Sequence, residues 1–225
     1  MIGLFVTGTD TNIGKTSVCA ALMHRYRRIA SLRYWKPVQT GSPEDDDTAT
    51  ARALGQCSDA EICMEGVRLP RPLSPHLAAR LHGEEIHLQK LLAPAEKADG
   101  SRAWIIEGAG GVLVPLNASC LMVDLIAALG LPTLVVARSS LGTINHALLT
   151  LEALRARGQK VAGVVMVGDP NPENRRAIEQ YGNVAVIGEM PFFSSLTPNS
   201  LADWALRELD PQGVLESIFT EARRG

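Results

Sequence analysis

The 225-residue chain has no long hydrophobic run, no excess of one charge and no clustered cysteines. No apolar segment approaches the roughly 20 residues that a membrane-spanning helix needs. The first residues run straight into an apolar strand instead of a basic stretch followed by a long apolar one, so a soluble, cytoplasmic protein is expected. Acidic and basic residues nearly cancel, 24 against 22, and Lys and Arg gather only into pairs such as Arg27-Arg28, Arg175-Arg176 and Arg223-Arg224. That excludes the basic stripe of a nucleic-acid partner. The four cysteines, Cys19, Cys57, Cys63 and Cys120, stand far apart with no Cys-x-x-Cys and no histidine at ligand spacing. They read as reduced thiols, some buried. His76, His82 and His87 are close in sequence, but their spacing does not set three ligands on one helical face, and surface or capping roles fit them better than a metal cluster. Linker composition is missing too, and the length suits one α/β domain, residues 1–225, with a sizeable core.

What is present is alternation. Short apolar, β-rich runs at Leu4–Thr7, Leu32–Val38, Ala103–Glu107, Pro132–Ala137, Val161–Val167 and Val184–Ile187 read as strands. Between them lie helical candidates near 15–28, 47–54, 76–82, 87–98, 121–129, 143–158 and 172–181, with another at 200–208. Gly158 follows a cationic last turn and can take the left-handed cap. Such alternation predicts βαβ units and a mostly parallel sheet flanked by helices on both faces, with ligands at the carboxyl ends of the strands. The stretch 55–75, interrupted by Gly, Pro and polar residues, reads as an irregular loop that can cover the site.

Directly behind the first strand, Gly8-Thr9-Asp10-Thr11-Asn12-Ile13-Gly14-Lys15-Thr16 opens a helix that continues from Ser17. This is the layout of a phosphate cradle. Gly14 lets the backbone turn close to a phosphate, consecutive N–H groups and the helix N-terminus face its oxygens, Lys15 reaches the outer phosphates, and the Thr16 hydroxyl can ligate Mg²⁺. Five residues separate Gly8 from Gly14 where the usual phosphate loop has four. A nucleoside triphosphate is the default ligand.

Two further clusters follow strands. Trp35-Lys36-Pro37-Val38-Gln39-Thr40-Gly41 ends the second strand and aims Lys36 into the crevice of Lys15, where a second ammonium neutralises charge on a transferring phosphoryl group. Ile105-Ile106-Glu107-Gly108-Ala109-Gly110-Gly111 delivers one carboxylate to a glycine-rich turn, where it is expected to bind Mg²⁺ directly or to hold one of the groups that do. Asp45-Asp46-Asp47 opens the next helix as a solvated N-terminus stabilised by the dipole, and one of the three can complete the metal site.

Gly-Thr-Asp-Thr-x-x-Gly-Lys-Thr at 8–16, Lys-Pro-Val-x-Thr-Gly at 36–41, Ser-Pro-His at 74–76, Glu-Gly-Ala-Gly-Gly at 107–111 and Gly-Thr-Ile-Asn-His-Ala at 142–147 together resemble the dethiobiotin synthases. The likeness runs from the first strand to about Phe193, and the five-residue glycine spacing belongs to that family's loop. It implies a phosphate-loop NTPase fold and a homodimeric, Mg²⁺-dependent ligase of biotin biosynthesis. Such an enzyme joins CO₂ to 7,8-diaminononanoate and closes the ureido ring, through an N-carbamate and a carbamic-phosphoric mixed anhydride, while ATP goes to ADP and phosphate.

The resemblance also implies roles. Lys36 and Lys15 are the catalytic lysines. Asn12, Ile13, Gly14, Lys15, Thr16 and Ser17 hold the triphosphate. Asp47 joins Thr16 and Glu107 around Mg²⁺, with Gly108, Ala109 and Gly110 beside the nucleotide. Thr40 holds substrate where the family often has serine. The N–H groups of Gly142, Thr143, Ile144 and Asn145 capture the substrate carboxylate across the dimer interface.

Many relatives place an asparagine near the end of the fifth strand to read the adenine edge, whereas Val167 or Gly168 stands there in this chain. ATP is the expected co-substrate, CTP or another nucleoside triphosphate can serve comparably, and Pro191, Phe192 and Phe193 offer backbone and ring contacts to the base. Two other readings share the scaffold. An amidoligase-type synthetase usually carries an amidotransferase domain, for which the chain has no room. A nucleotide-switch ATPase usually carries an extra lysine early in the loop, where this chain has Thr9-Asp10-Thr11.

Overall fold

In the computed structural model the described residues are 1–220, so Arg223-Arg224 and the end of the expected 1–225 domain lie outside them. The first half runs β1 (Ile2–Gly8), α1 (Lys15–Tyr26), β2 (Leu32–Trp35), β3 (Val38–Thr40), α2 (Asp47–Gly55), β4 (Ile62–Cys63), β5 (Val67–Leu69), α3 (Pro75–His82) and α4 (Leu88–Glu96). The second runs β6 (Ala103–Gly111), α5 (Met122–Leu129), β7 (Thr133–Arg138), α6 (Thr143–Arg155), β8 (Val161–Val167), α7 (Pro172–Gly182), β9 (Val186–Met190), α8 (Pro198–Glu208) and α9 (Glu216–Thr220).

The main sheet has seven strands in the order β4-β2-β6-β1-β7-β8-β9, every pairing parallel. Parallel strands are buried on both faces and need crossover helices. Alternation along β1 shows the two faces: Leu4 and Val6 join one buried cluster, with Leu22 of α1, Ala51 of α2, Leu201 of α8 and Phe219 of α9. Phe5 joins the other, with Ala78 of α3, Leu91 of α4, Leu125 of α5, Leu151 of α6 and Ile178 of α7. β1 lies between β6 and β7, so the chain order reverses beside it, and the loops after β1, β6 and β7 share one end of the sheet.

The expected strand Leu32–Val38 is broken. β2 stops at Trp35 and β3 restarts at Val38 in a separate parallel pair with β5. Pro37 has no N–H for a ladder and a fixed φ, so the chain leaves the main sheet there, with Lys36 at the break. The expected irregular loop at 55–75 is also corrected: it holds a 3₁₀ turn at Asp59–Glu61 and the strands β4 and β5. Those strands are two and three residues long, too short for a periodic signal, and exist through their pairing to β2 and β3. β6 runs four positions past Glu107, to Gly111, and β9 begins at Val186 instead of Val184. Gly158, at φ 70°, closes the turn after α6 with its N–H on the Arg155 carbonyl at 2.9 Å.

Candidate active site

The phosphate loop occupies the switch point. Asn12 at φ 52° and Gly14 at φ 90° turn successive backbone N–H groups inward, the nest geometry that binds anions. At Gly14 an added Cβ would also stand 3.2 Å from Val167 Cγ1. No side chain caps the start of α1 and no acid lies in its first turn, so its N–H groups are left for a ligand. Lys15 is buried, with its ammonium donating to the Asp10 carbonyl at 2.8 Å. Burial foremost, then the Lys36 charge, holds its pKa below the usual lysine range.

Strand alternation builds the second part. In β2 and β6, Tyr34 pairs with Ile105 and Trp35 with Ile106, so one further step along both strands brings Lys36 to Glu107. Period two puts Tyr34, Lys36, Ile105 and Glu107 on the α1 face. Lys36 Nζ donates to Glu107 Oε1 at 2.7 Å and also to Asp47 Oδ2. Thr16 Oγ1 lies 2.9 Å from both Asp47 Oδ1 and Glu107 Oε1. The Tyr34 phenol donates to Glu107 Oε2 at 2.8 Å. Lys36 is 3% exposed and Glu107 1%.

Burial alone would lower the Lys36 pKa, but Glu107 and Asp47 outweigh it and hold the ammonium above its ordinary value. Burial likewise pushes Asp47 up, and the Lys36 charge with hydrogen bonds from Lys36 and Thr16 brings it below the ordinary carboxylate value. Burial, then the Glu107 charge, raises the Tyr34 phenol, which therefore stays a donor.

Among the three aspartates, Asp47 alone reaches Thr16 and Lys36; Asp46 caps α2 by accepting from the Ala49 N–H at 3.0 Å. A cavity of about 310 Å³ is lined by the loop from Thr11 to Ser17 together with Lys36, Thr40, Asp47, Ala109 and Gly110. Glu107 and Gly108 lie behind its wall. The loop residues Asn12, Ile13, Gly14 and Ser17 also face a second cavity of about 640 Å³, whose far side holds Val167, Met190, Pro191, Phe192 and Phe193. Gly168 does not line it: its Cβ position would be only 2.4 Å from Ser139 Oγ. Gly142, Thr143, Ile144 and Asn145 line neither cavity; the Thr143 hydroxyl is spent on the Arg138 carbonyl at 2.5 Å. His146 and Thr150 of the same helix face a third cavity with Asp10 and Thr11.

Four participants escape the motifs. Tyr34 was legible only as the residue two before Lys36 on one strand face. Arg68 donates to the Lys36 carbonyl at 2.9 Å and depends on β5, for which the sequence has no signal. Gln39 accepts from the Asp47 N–H at 3.2 Å and donates to the Asp45 carbonyl at 2.7 Å, shaping the turn into α2. Arg138 pairs with Asp10 at 2.9 Å, tying the phosphate loop to the end of β7.

The chain is similar to known proteins in sequence and in fold. A family model described as an AAA domain matches residues 2–200. The ATP-dependent dethiobiotin synthetase of Paramagnetospirillum magneticum is 48% identical over 202 residues, covering 90% of this chain and 94% of that protein. The protein of the same description from Agrobacterium fabrum is 46% identical over 196 residues, covering 87% and 89%. Among solved structures, the ParA family ATPase from Chlorobium tepidum superposes with a TM-score of 0.55 at 12% identity, covering 91% of this chain and 98% of that one. A chain of the MinC:MinD cell division protein complex from Aquifex aeolicus gives 0.54 at 12%, covering 100% and 95%. These two likenesses are of fold alone. The sequence relatedness reaches further, over 87–90% of the chain: the chain belongs to the family of ATP-dependent dethiobiotin synthetases.

Proposed function

We propose that this chain, as a single domain over residues 1–225, makes dethiobiotin from 7,8-diaminononanoate and CO₂ with ATP and Mg²⁺. The observation that carries the proposal is the convergence of Lys36, Thr16, Asp47 and Glu107 beside the phosphate loop. One substrate amine takes up CO₂ as a carbamate and releases a proton. A carbamate oxygen attacks the γ-phosphorus and ADP leaves; the second amine then attacks the carbonyl of the mixed anhydride, closing the ring and expelling phosphate. Lys36 and Lys15 bring positive charge to the carbamate and the transferring phosphoryl group, which otherwise repel. The nest from Asn12 to Ser17 orients the triphosphate. No side-chain nucleophile enters the scheme.

The residues fit a magnesium ion. All the donors are hard oxygens, and the Thr16 hydroxyl has one proton to share between two carboxylates at 2.9 Å, a deficit that a divalent cation removes. Among the described residues no group of three or more His, Cys, Asp or Glu side chains could hold a metal. Thr16, Asp47 and Glu107 would therefore hold the ion together with phosphate oxygens. When bound, it neutralises the β- and γ-phosphate oxygens.

Thr40, at the rim of the smaller cavity, holds the substrate chain, and the N–H groups of Gly142 to Asn145 take its carboxylate from a second subunit. A homodimer agrees with the exposure of Leu113 and Leu149, which line one cavity, and of Leu141 just before α6. The base lies in the larger cavity against Phe192 and Phe193. With Val167 in place of an amide, ring contacts and backbone groups read it, so CTP and other triphosphates compete with ATP. The deciding experiment follows phosphate release with diaminononanoate, bicarbonate, Mg²⁺ and ATP, beside Lys36→Ala and Glu107→Ala. Release that requires diaminononanoate and disappears in both variants supports the proposal; release indifferent to diaminononanoate contradicts it.

A further inference from the structure

We infer that Tyr34 is a positioning residue for the cation site, its phenol fixing the Glu107 carboxylate so that Oε1 alone faces Thr16, Lys36 and the metal. The inference rests on the reading of Glu107 as a magnesium partner. The two carboxylate oxygens have separate partners. Oε2 accepts from the Tyr34 hydroxyl at 2.8 Å, and Oε1 receives Lys36 at 2.7 Å and faces Thr16 at 2.9 Å. Tyr34 is 0% exposed and Glu107 1%, so the phenol–carboxylate bond is shielded from bulk water.

Rotation about the last bond of a glutamate is soft, because that torsion is broad and roughly two-fold. A carboxylate with one oxygen unpartnered in the interior turns or draws a partner from elsewhere. The phenol prevents this from a rigid base. Tyr34 pairs with Ile105 across the β2–β6 ladder, two residues before Glu107, and its ring belongs to the buried cluster under α1. Outer partners of metal-binding carboxylates commonly control affinity by 10–100-fold, roughly.

The test is Tyr34→Phe, which keeps the ring and removes the hydroxyl. Mn²⁺ binding is followed by electron paramagnetic resonance with a non-hydrolysable ATP analogue, and analogue binding is measured separately without metal. Mn²⁺ affinity should fall about tenfold or more, metal-free analogue binding should stay within about twofold, and high Mg²⁺ should restore most of kcat. Tyr26→Phe is the comparison, because it also loses a buried phenol–carboxylate bond, 2.5 Å to Asp210. Tyr26 stands eleven positions beyond Lys15 on α1, about 16 Å away.

Tyr26→Phe should lose stability while keeping its Mn²⁺ affinity. Mn²⁺ affinity in Tyr34→Phe within about twofold of the parent would overturn the inference, as would equal loss of metal-free analogue binding or an equal metal defect in Tyr26→Phe. If the parent itself shows no Mn²⁺ binding with the analogue, the metal reading falls together with this one, an outcome distinct from a parent that binds and a variant that matches it.

Discussion

Lys36 Nζ lies 2.7 Å from Glu107 Oε1 across 71 positions of sequence, and both side chains are almost wholly buried. The strand ladder from Tyr34–Ile105 to Trp35–Ile106 makes the meeting a matter of register. Lys36 is thus the partner that keeps Asp47 and Glu107 compatible with the interior, and in the proposed reaction it also offers its charge to the phosphoryl group.

Lys36→Ala should therefore do two things. Turnover falls on the order of 10²–10³-fold or more, as for other removed transition-state donors. The metal-free protein loses about 3 kcal/mol, because two carboxylates are left without their ammonium. Mg²⁺ should raise the melting temperature of the variant more than that of the parent. Thermal melts with and without Mg²⁺ check it; equal Mg²⁺ shifts would contradict it.

Asp47→Asn should show its effect in the pH dependence of stability. The folded protein holds Asp47 below its ordinary value of 3.8, so its contribution is present above about that pH and is lost as pH falls through the folded value. The stability gap between parent and variant, about 1–3 kcal/mol near neutrality, should shrink below pH 3.8. Urea unfolding at a series of pH values measures it, and a gap that widens in acid would refute the assignment.

Base preference should be shallow. Val167 lines the larger cavity, the proposed base site, beside Gly14, and its side chain has no donor or acceptor to offer. Turnover across ATP, CTP, GTP and UTP should spread over less than about a hundredfold, and Val167→Asn should shift preference toward ATP by about 1–3 kcal/mol. An ATP preference above about a hundredfold in the parent would exclude relaxed reading.

The exposed leucines predict a dimer. Leu149, on the helix proposed to serve a second subunit, is 56% exposed, and Leu141, just before that helix, is 101% exposed. Leu149→Asp should sediment as a monomer and lose most activity, whereas the parent should sediment as a dimer. A parent that is monomeric and fully active would contradict the shared site.

The main strands were legible as continuous apolar runs, as strands buried on both faces should be, and most helices as longer amphipathic stretches between them. Val161–Val167 appears with the bounds expected, and α5 and α6 begin at or next to the expected residues. The phosphate loop was legible because Gly14 and Lys15 need particular backbone and charge. β4 and β5 were hidden because they are made by pairing, not by local pattern. The break at Lys36-Pro37 was foreseeable from proline chemistry, yet the apolar run masked it. Tyr34 and Arg68 went unseen for one reason: their partners, Glu107 and the Lys36 carbonyl, become neighbours only when the ladders form.

The central claim, that this cluster surrounds phosphorylation of a carbamate, is tested most directly by isotope transfer. With ¹⁸O-labelled bicarbonate, diaminononanoate, Mg²⁺ and ATP, the attacking carbamate oxygen should be carried into inorganic phosphate, one label per turnover, and Lys36→Ala should abolish the transfer. Phosphate released without the label while dethiobiotin accumulates would contradict the account.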